Sequence, residues 1–170
     1  MHEELERAFD KFQFFESEAG YKSWLTIMLR MHTRFAPLYD RGCNLMGLAP
    51  ISSELLFCLK SDLGQDDVKY DPPRARAKDS ECVGVVYVIE GSALGAKILR
   101  KRIDQNRSFT QNYLTRLTKD SRERWGRLTN ELECNPKVSE MKFEDIRKGA
   151  LEVFQAMKSD FQAEGGFAHG

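Results

Sequence analysis

Residues 84–99, GVVYVIEGSALGAKIL, constrain this chain more than any other stretch. Apolar residues run almost unbroken from Val83 to Leu99, which predicts a buried helix. Yet the run carries Gly84, Gly91 and Gly95, where alanine would be more stable by about 1 kcal/mol each. Separations of seven and four residues place all three within about 60° of one helix face at 100° per residue. One stripe is therefore bare backbone, and that has two physical uses. A neighbouring helix can pack unusually close, or a flat ligand can lie directly on the backbone. Glu90-Gly91-Ser92 and Gly95 also predict a local bend, since glycine resists kinking little and a serine hydroxyl can bond back to a carbonyl. A kinked, glycine-lined helix in a bundle makes a slot for a planar apolar group. A phosphate-binding loop is the poorer reading, because GSALG lacks a following Lys-Ser/Thr and a preceding strand.

At roughly 17 residues, interrupted by Glu90 and Lys97, the run falls short of the roughly 20 that span a bilayer, so it reads as a core helix. The 26 basic and 26 acidic residues balance, which leaves no global field to attract nucleic acid or an anionic membrane, and neither is an expected partner. The opening MHEELERAFDKF is acidic and amphipathic, unlike a signal peptide, and the expected location is the cytoplasm. Cys43, Cys58, Cys82 and Cys134 form no CxxC pair and no metal-ligand spacing, which suits free thiols.

Elsewhere the helical period dominates. Leu5, Ala8, Phe9 and Phe12 mark a short first helix. A long second one has Ser17 as cap, a face from Tyr21 through Trp24, Met28, His32 and Phe35 to Leu38, and Pro37 bending its last turns. A third starts at Ser52 or Ser53 and stops at Gly64. Pro72 and Pro73 make the following segment a surface loop. Further helices are expected from about Asp79 to Ile103, at FTQNYLTRL, around Trp125, and from about Ser139 to Phe161. No stretch alternates apolar and polar residues over a strand's length, so the chain should be an all-α, single-domain bundle of six to seven helices spanning 1–162, with 163–170 a flexible tail. A lone histidine on an apolar face, such as His32, reads first as a hydrogen-bonded core residue.

YVIEGSALGAKIL resembles the distal-helix motif of heme oxygenases, in particular the bacterial branch found with bacteriophytochromes, roughly Tyr-Val-x-Glu-Gly-Ser-x-Leu-Gly-Gly. Tyr87, Val88, Glu90, Gly91, Ser92, Leu94 and Gly95 match, while Ala96 replaces the last glycine. AGYKSWLTIMLRMHTRFAPLY, ELLFCLKSDLG, ERWGRLTNELE and ALEVFQAMKSDF are similar to further helices of that family, in the same order. The resemblance implies a heme-oxygenase-like fold and a heme-degrading monooxygenase that turns heme, its substrate and cofactor, into biliverdin, CO and ferrous iron. O2 and an electron donor such as ferredoxin or a reductase would take part, and a bacteriophytochrome could accept the biliverdin.

By the same resemblance His2 is the axial iron ligand, and Glu6, one turn later, orients its imidazole. Gly91 and Gly95 form the distal wall, and Ser92 with water relays a proton. Tyr87 lies in the matched motif, and Arg107, Tyr113 and Arg116 stand where the family contacts the heme propionates. Relatives carry another turn or two of helix before the ligand, whereas this chain begins at Met1. That leaves open a non-degrading heme- or bilin-binding module on the same fold. A third reading is a helical interaction domain whose glycines serve packing alone.

Overall fold

The computed structural model describes residues 14–15, 17–64, 74, 76–104 and 109–165. These are all-helical: α1 Glu18–Leu45, α2 Ser52–Leu63, α3 Asp79–Asp104, α4 Asn112–Thr118, α5 Ser121–Cys134, α6 Pro136–Ser139 and α7 Phe143–Gly165. No strand occurs among the described residues. The short helix expected over residues 2–12 lies outside them, as do Pro72 and Pro73 of the expected loop.

Local chemistry accounts for three of the helix ends, at Ser17, Gly64 and Asn135. The Ser17 hydroxyl accepts the Gly20 amide at 3.0 Å and opens α1 as expected. Pro37 sits inside α1, which runs on to Leu45. The α2 start differs from expectation, because Ile51 occupies the cap without a side-chain hydrogen bond and Ser52 is already the first helical residue. Gly64 closes α2 in the left-handed region at φ 64°, where its amide reaches the Lys60 and Ser61 carbonyls. Helix α4 is opened from a distance: Asp62 of α2 accepts the Asn112 and Tyr113 amides at 3.1 and 2.8 Å. The closing helix expected from about Ser139 starts four residues later, and a separate short helix ends at Ser139. Asn135 caps α6, where Pro136 supplies a preset φ, and α7 begins at Phe143 and continues past Phe161 to Gly165. Glu164, in the stretch expected as a loose tail, pairs with Arg30 at 2.8 Å.

Helix α3 is the axis of the molecule, packed against α1, α4, α5 and α7 around one shared core. Bare backbone sets its two closest contacts. A methyl on Gly84 would stand 2.0 Å from the Ile146 carbonyl oxygen of α7, and one on Gly149 would stand 2.0 Å from that of Glu81 in α3. Gly42 lets α1 approach Cys82 and Val86 in the same way. By length and composition Asp79–Lys101 could cross a membrane, and 56% of that stretch is buried against the rest of the molecule, as a core helix is. Cys43 and Cys82 are buried free thiols, Cys58 is half-buried and Cys134 exposed.

Candidate functional site

The three glycines of α3 face three different surroundings. Gly84 is consumed by the contact with α7. At Gly91 a methyl would meet the Trp125 ring of α5, its nearest atom at 3.3 Å, so an indole already lies over this part of the stripe. Tyr87, one turn earlier, packs on the same indole with ring centroids 5.3 Å apart and stays 45% exposed. At Gly95 a methyl would meet nothing within 4 Å, and the residue is exposed. Ile98, three residues on and 63% exposed, flanks that open backbone. The bare stripe is thus closed at its first end, covered by an aromatic in its middle and open at its last.

Glu90 explains how a carboxylate can stand in this apolar run. It is 2% exposed, and Arg124 of α5 grips both of its oxygens, Nη2 to Oε1 at 2.6 Å and Nε to Oε2 at 3.0 Å. The Tyr39 hydroxyl of α1 donates to Oε1 at 2.6 Å, and Arg124 Nη1 donates to the Ala49 carbonyl. Burial opposes the Arg124 charge, but the hydrogen bonds to Glu90 and that carboxylate's charge outweigh it and push the guanidinium pKa up. Burial, with Glu90 beside it, pushes the Tyr39 hydroxyl up as well. The clamp ties α1, α3 and α5 together at the residue before Gly91. A charge inside an apolar helix signals in sequence that a buried cation must exist. Its identity as Arg124, next to the Trp125 that covers Gly91, was not legible there.

Ser92 is exposed, and its hydroxyl donates to the Ile89 carbonyl at 2.7 Å, the back-bonding its position predicts. Tyr113 is buried, its hydroxyl 2.9 Å from His32 Nε2. His32 is the buried, hydrogen-bonded core histidine that the sequence predicts. Burial pushes its pKa down to about 4 and pushes the Tyr113 hydroxyl up. Arg116 forms an ion pair with Glu54 of α2. Gly91, Ser92, Gly95 and Tyr87 therefore share one region of α3, while Tyr113 and Arg116 belong to α4 and are engaged by α1 and α2. His2, Glu6 and Arg107 lie outside the described residues.

Among the described residues no group of three or more His, Cys, Asp or Glu could hold a bare metal ion. For a heme, the described residues fit on one side: they supply an open backbone wall at Gly95 with an exposed hydroxyl at Ser92. No family model and no curated protein matches the chain.

Proposed function

We propose that the chain is a cytoplasmic heme oxygenase, which binds heme as substrate and cofactor and cleaves it with O2 and reductant to biliverdin, CO and ferrous iron. Gly95 carries the reading. A helix-interior glycine is less stable than alanine by about 1 kcal/mol, and packing among the described helices gives no return for it, since a methyl there would touch nothing. A planar group lying on the backbone would. The resemblance of Tyr87–Gly95 to the distal-helix motif of heme oxygenases names that planar group.

Bound heme would supply an iron that activates O2 against the macrocycle's own meso carbon. The chain's part is placement and proton supply. Gly95 would bring bare backbone against the heme, Gly91 lies beside it under the Trp125 ring, and the Glu90–Arg124 clamp holds the helix there. Ser92 orders water and passes a proton through it. His2 would hold the heme iron and Glu6 would orient its imidazole. Arg116 can exchange Glu54 for a propionate at little cost, because Glu54 is exposed and such surface pairs contribute about 0–1 kcal/mol. Arg107 would be the second cation. Tyr113, committed to His32 in the core, acts by shape more than through its hydroxyl. Electrons would come from a ferredoxin or a reductase, and a bacteriophytochrome is the fitting acceptor for biliverdin.

One observation favours a non-degrading heme- or bilin-binding module on the same fold: the Ser92 proton points to the Ile89 carbonyl, away from the open face. A single experiment separates the readings. Hemin added to the purified chain should produce a shifted Soret band, and ascorbate or reduced ferredoxin in air should convert it to biliverdin absorption. A Soret band that persists under those conditions would establish the binding module. No Soret shift at all would remove both and leave the glycines to packing.

A further inference from the structure

The buried His32 imidazole and Tyr113 hydroxyl are hydrogen-bonded to each other at the end of a run of touching aromatic rings. Phe109 stacks on Tyr21 at 5.2 Å between ring centroids, Tyr21 stacks on Trp24 at 5.8 Å, and Trp24 lies 5.8 Å from Tyr113. Tyr21, Trp24, Tyr113 and His32 are all buried. Their hydrogen bonding is uneven. The Tyr21 hydroxyl and the Trp24 indole N–H meet no partner among the described residues, whereas the Tyr113 hydroxyl lies against an imidazole nitrogen.

That unevenness has a redox consequence. A phenol that loses an electron becomes a strong acid, and the oxidised form is stabilised only where its proton has somewhere to go. An electron vacancy created on Tyr21 or Trp24 finds no hydrogen-bonded proton acceptor among the described residues. On Tyr113 it finds one. We propose that Tyr113 with His32 is a one-electron redox site, fed through Trp24 and Tyr21. A one-electron oxidant, such as a peroxide-derived radical, removes an electron from Tyr113. The phenolic proton moves across the 2.9 Å contact to His32 Nε2, leaving a neutral tyrosyl radical beside an imidazolium. A small reductant of the ascorbate or thiol class returns the electron, and the proton goes back to the phenolate oxygen. At neutral pH the imidazole is unprotonated, because burial holds its pKa near 4, and so it is available as acceptor. The nearest rival, Tyr39, also has an acceptor in Glu90, but that carboxylate is already neutralised by Arg124.

The site is testable without heme, so its fate is separate from that of the oxygenase reading. The full chain carrying Tyr70→Phe and Tyr87→Phe is oxidised by flash photolysis of a ruthenium tris-bipyridine complex with persulfate, then frozen for electron paramagnetic resonance. The expected result is a neutral tyrosyl signal that Tyr113→Phe abolishes and Tyr39→Phe leaves in place. His32→Gln keeps a hydrogen-bond acceptor but not a proton acceptor, and should lose most of the signal while retaining the helical circular dichroism. A purely structural pair would not respond in that way. A signal surviving Tyr113→Phe, a signal unchanged by His32→Gln, or no tyrosyl signal would each overturn the proposal. Should a variant fail to fold, nitrogen-15 histidine in the parent chain decides: coupling of that nitrogen to the radical supports the assignment, and its absence overturns it.

Discussion

Arg124 and His32 show how much a single buried polar side chain can govern. Arg124 neutralises a carboxylate that has no other cation partner among the described residues, so Arg124→Ala should leave Glu90 buried and uncompensated and destabilise the fold by roughly 3–5 kcal/mol. Urea unfolding measures this, and a loss under about 1 kcal/mol would mean that the pair is solvated in solution. His32 acts through protons. Its folded pKa near 4 lies below its ordinary 6.5, so between those values the unfolded chain binds a proton that the folded chain does not. The stability is therefore whole above pH 6.5, declines as pH falls, and levels off below about 4, a total of roughly 3 kcal/mol at 1.36 kcal/mol per unit. His32→Gln should remove that share of the slope. Urea midpoints for parent and variant at pH 7 and pH 5 give the answer, and equal slopes would show His32 to be hydrated. That His32 would be a core residue was readable from its helical face; that Tyr113 would be its partner was not, since 81 residues separate them.

At the scale of the element, α3 uses identical residues for opposite purposes. Gly84 and Gly149 let α3 and α7 meet backbone to backbone, and a methyl at either would press on a carbonyl oxygen at 2.0 Å, which only separation of the helices can relieve. Gly84→Ala and Gly149→Ala should each destabilise by roughly 1–3 kcal/mol or more. Gly95→Ala should do the reverse and stabilise the ligand-free chain by about 1 kcal/mol, because the helix gains propensity and nothing clashes. Thermal melts of the three variants check this, and a destabilising Gly95→Ala would mean that a packing partner covers that face. Gly95→Leu joins element to function: it should leave folding intact while blocking the Soret shift. The periodicity that put three glycines on one face was legible in sequence. Which neighbour each one meets depends on the approach of α5 and α7, and residues 125, 146 and 150 carry no local mark of that approach.

At the scale of the molecule, a ligand that binds only the folded chain stabilises all of it at once. With free hemin about a hundredfold above its dissociation constant, the gain is about 2.7 kcal/mol, which for a chain of this length is a rise in Tm of roughly 5–10 °C. Scanning fluorimetry with and without hemin measures it, and an unchanged Tm would contradict specific binding. The all-helical character, the two long helices and the position of the glycine-bearing core helix all followed from apolar spacing and caps, which act within a few residues of chain. So did the end of α2 at Gly64 and the start of α1 at Ser17. The opening of α4 by Asp62, the Glu90–Arg124–Tyr39 clamp and the His32–Tyr113 pair were decided only in three dimensions, because each joins residues 34 or more positions apart. Sequence by itself determined that α3 would carry a bare stripe. Only the tertiary structure decided that helix α7 takes one end, Trp125 takes the middle and Gly95 stays open, because a glycine's environment is set by the chain that comes to meet it.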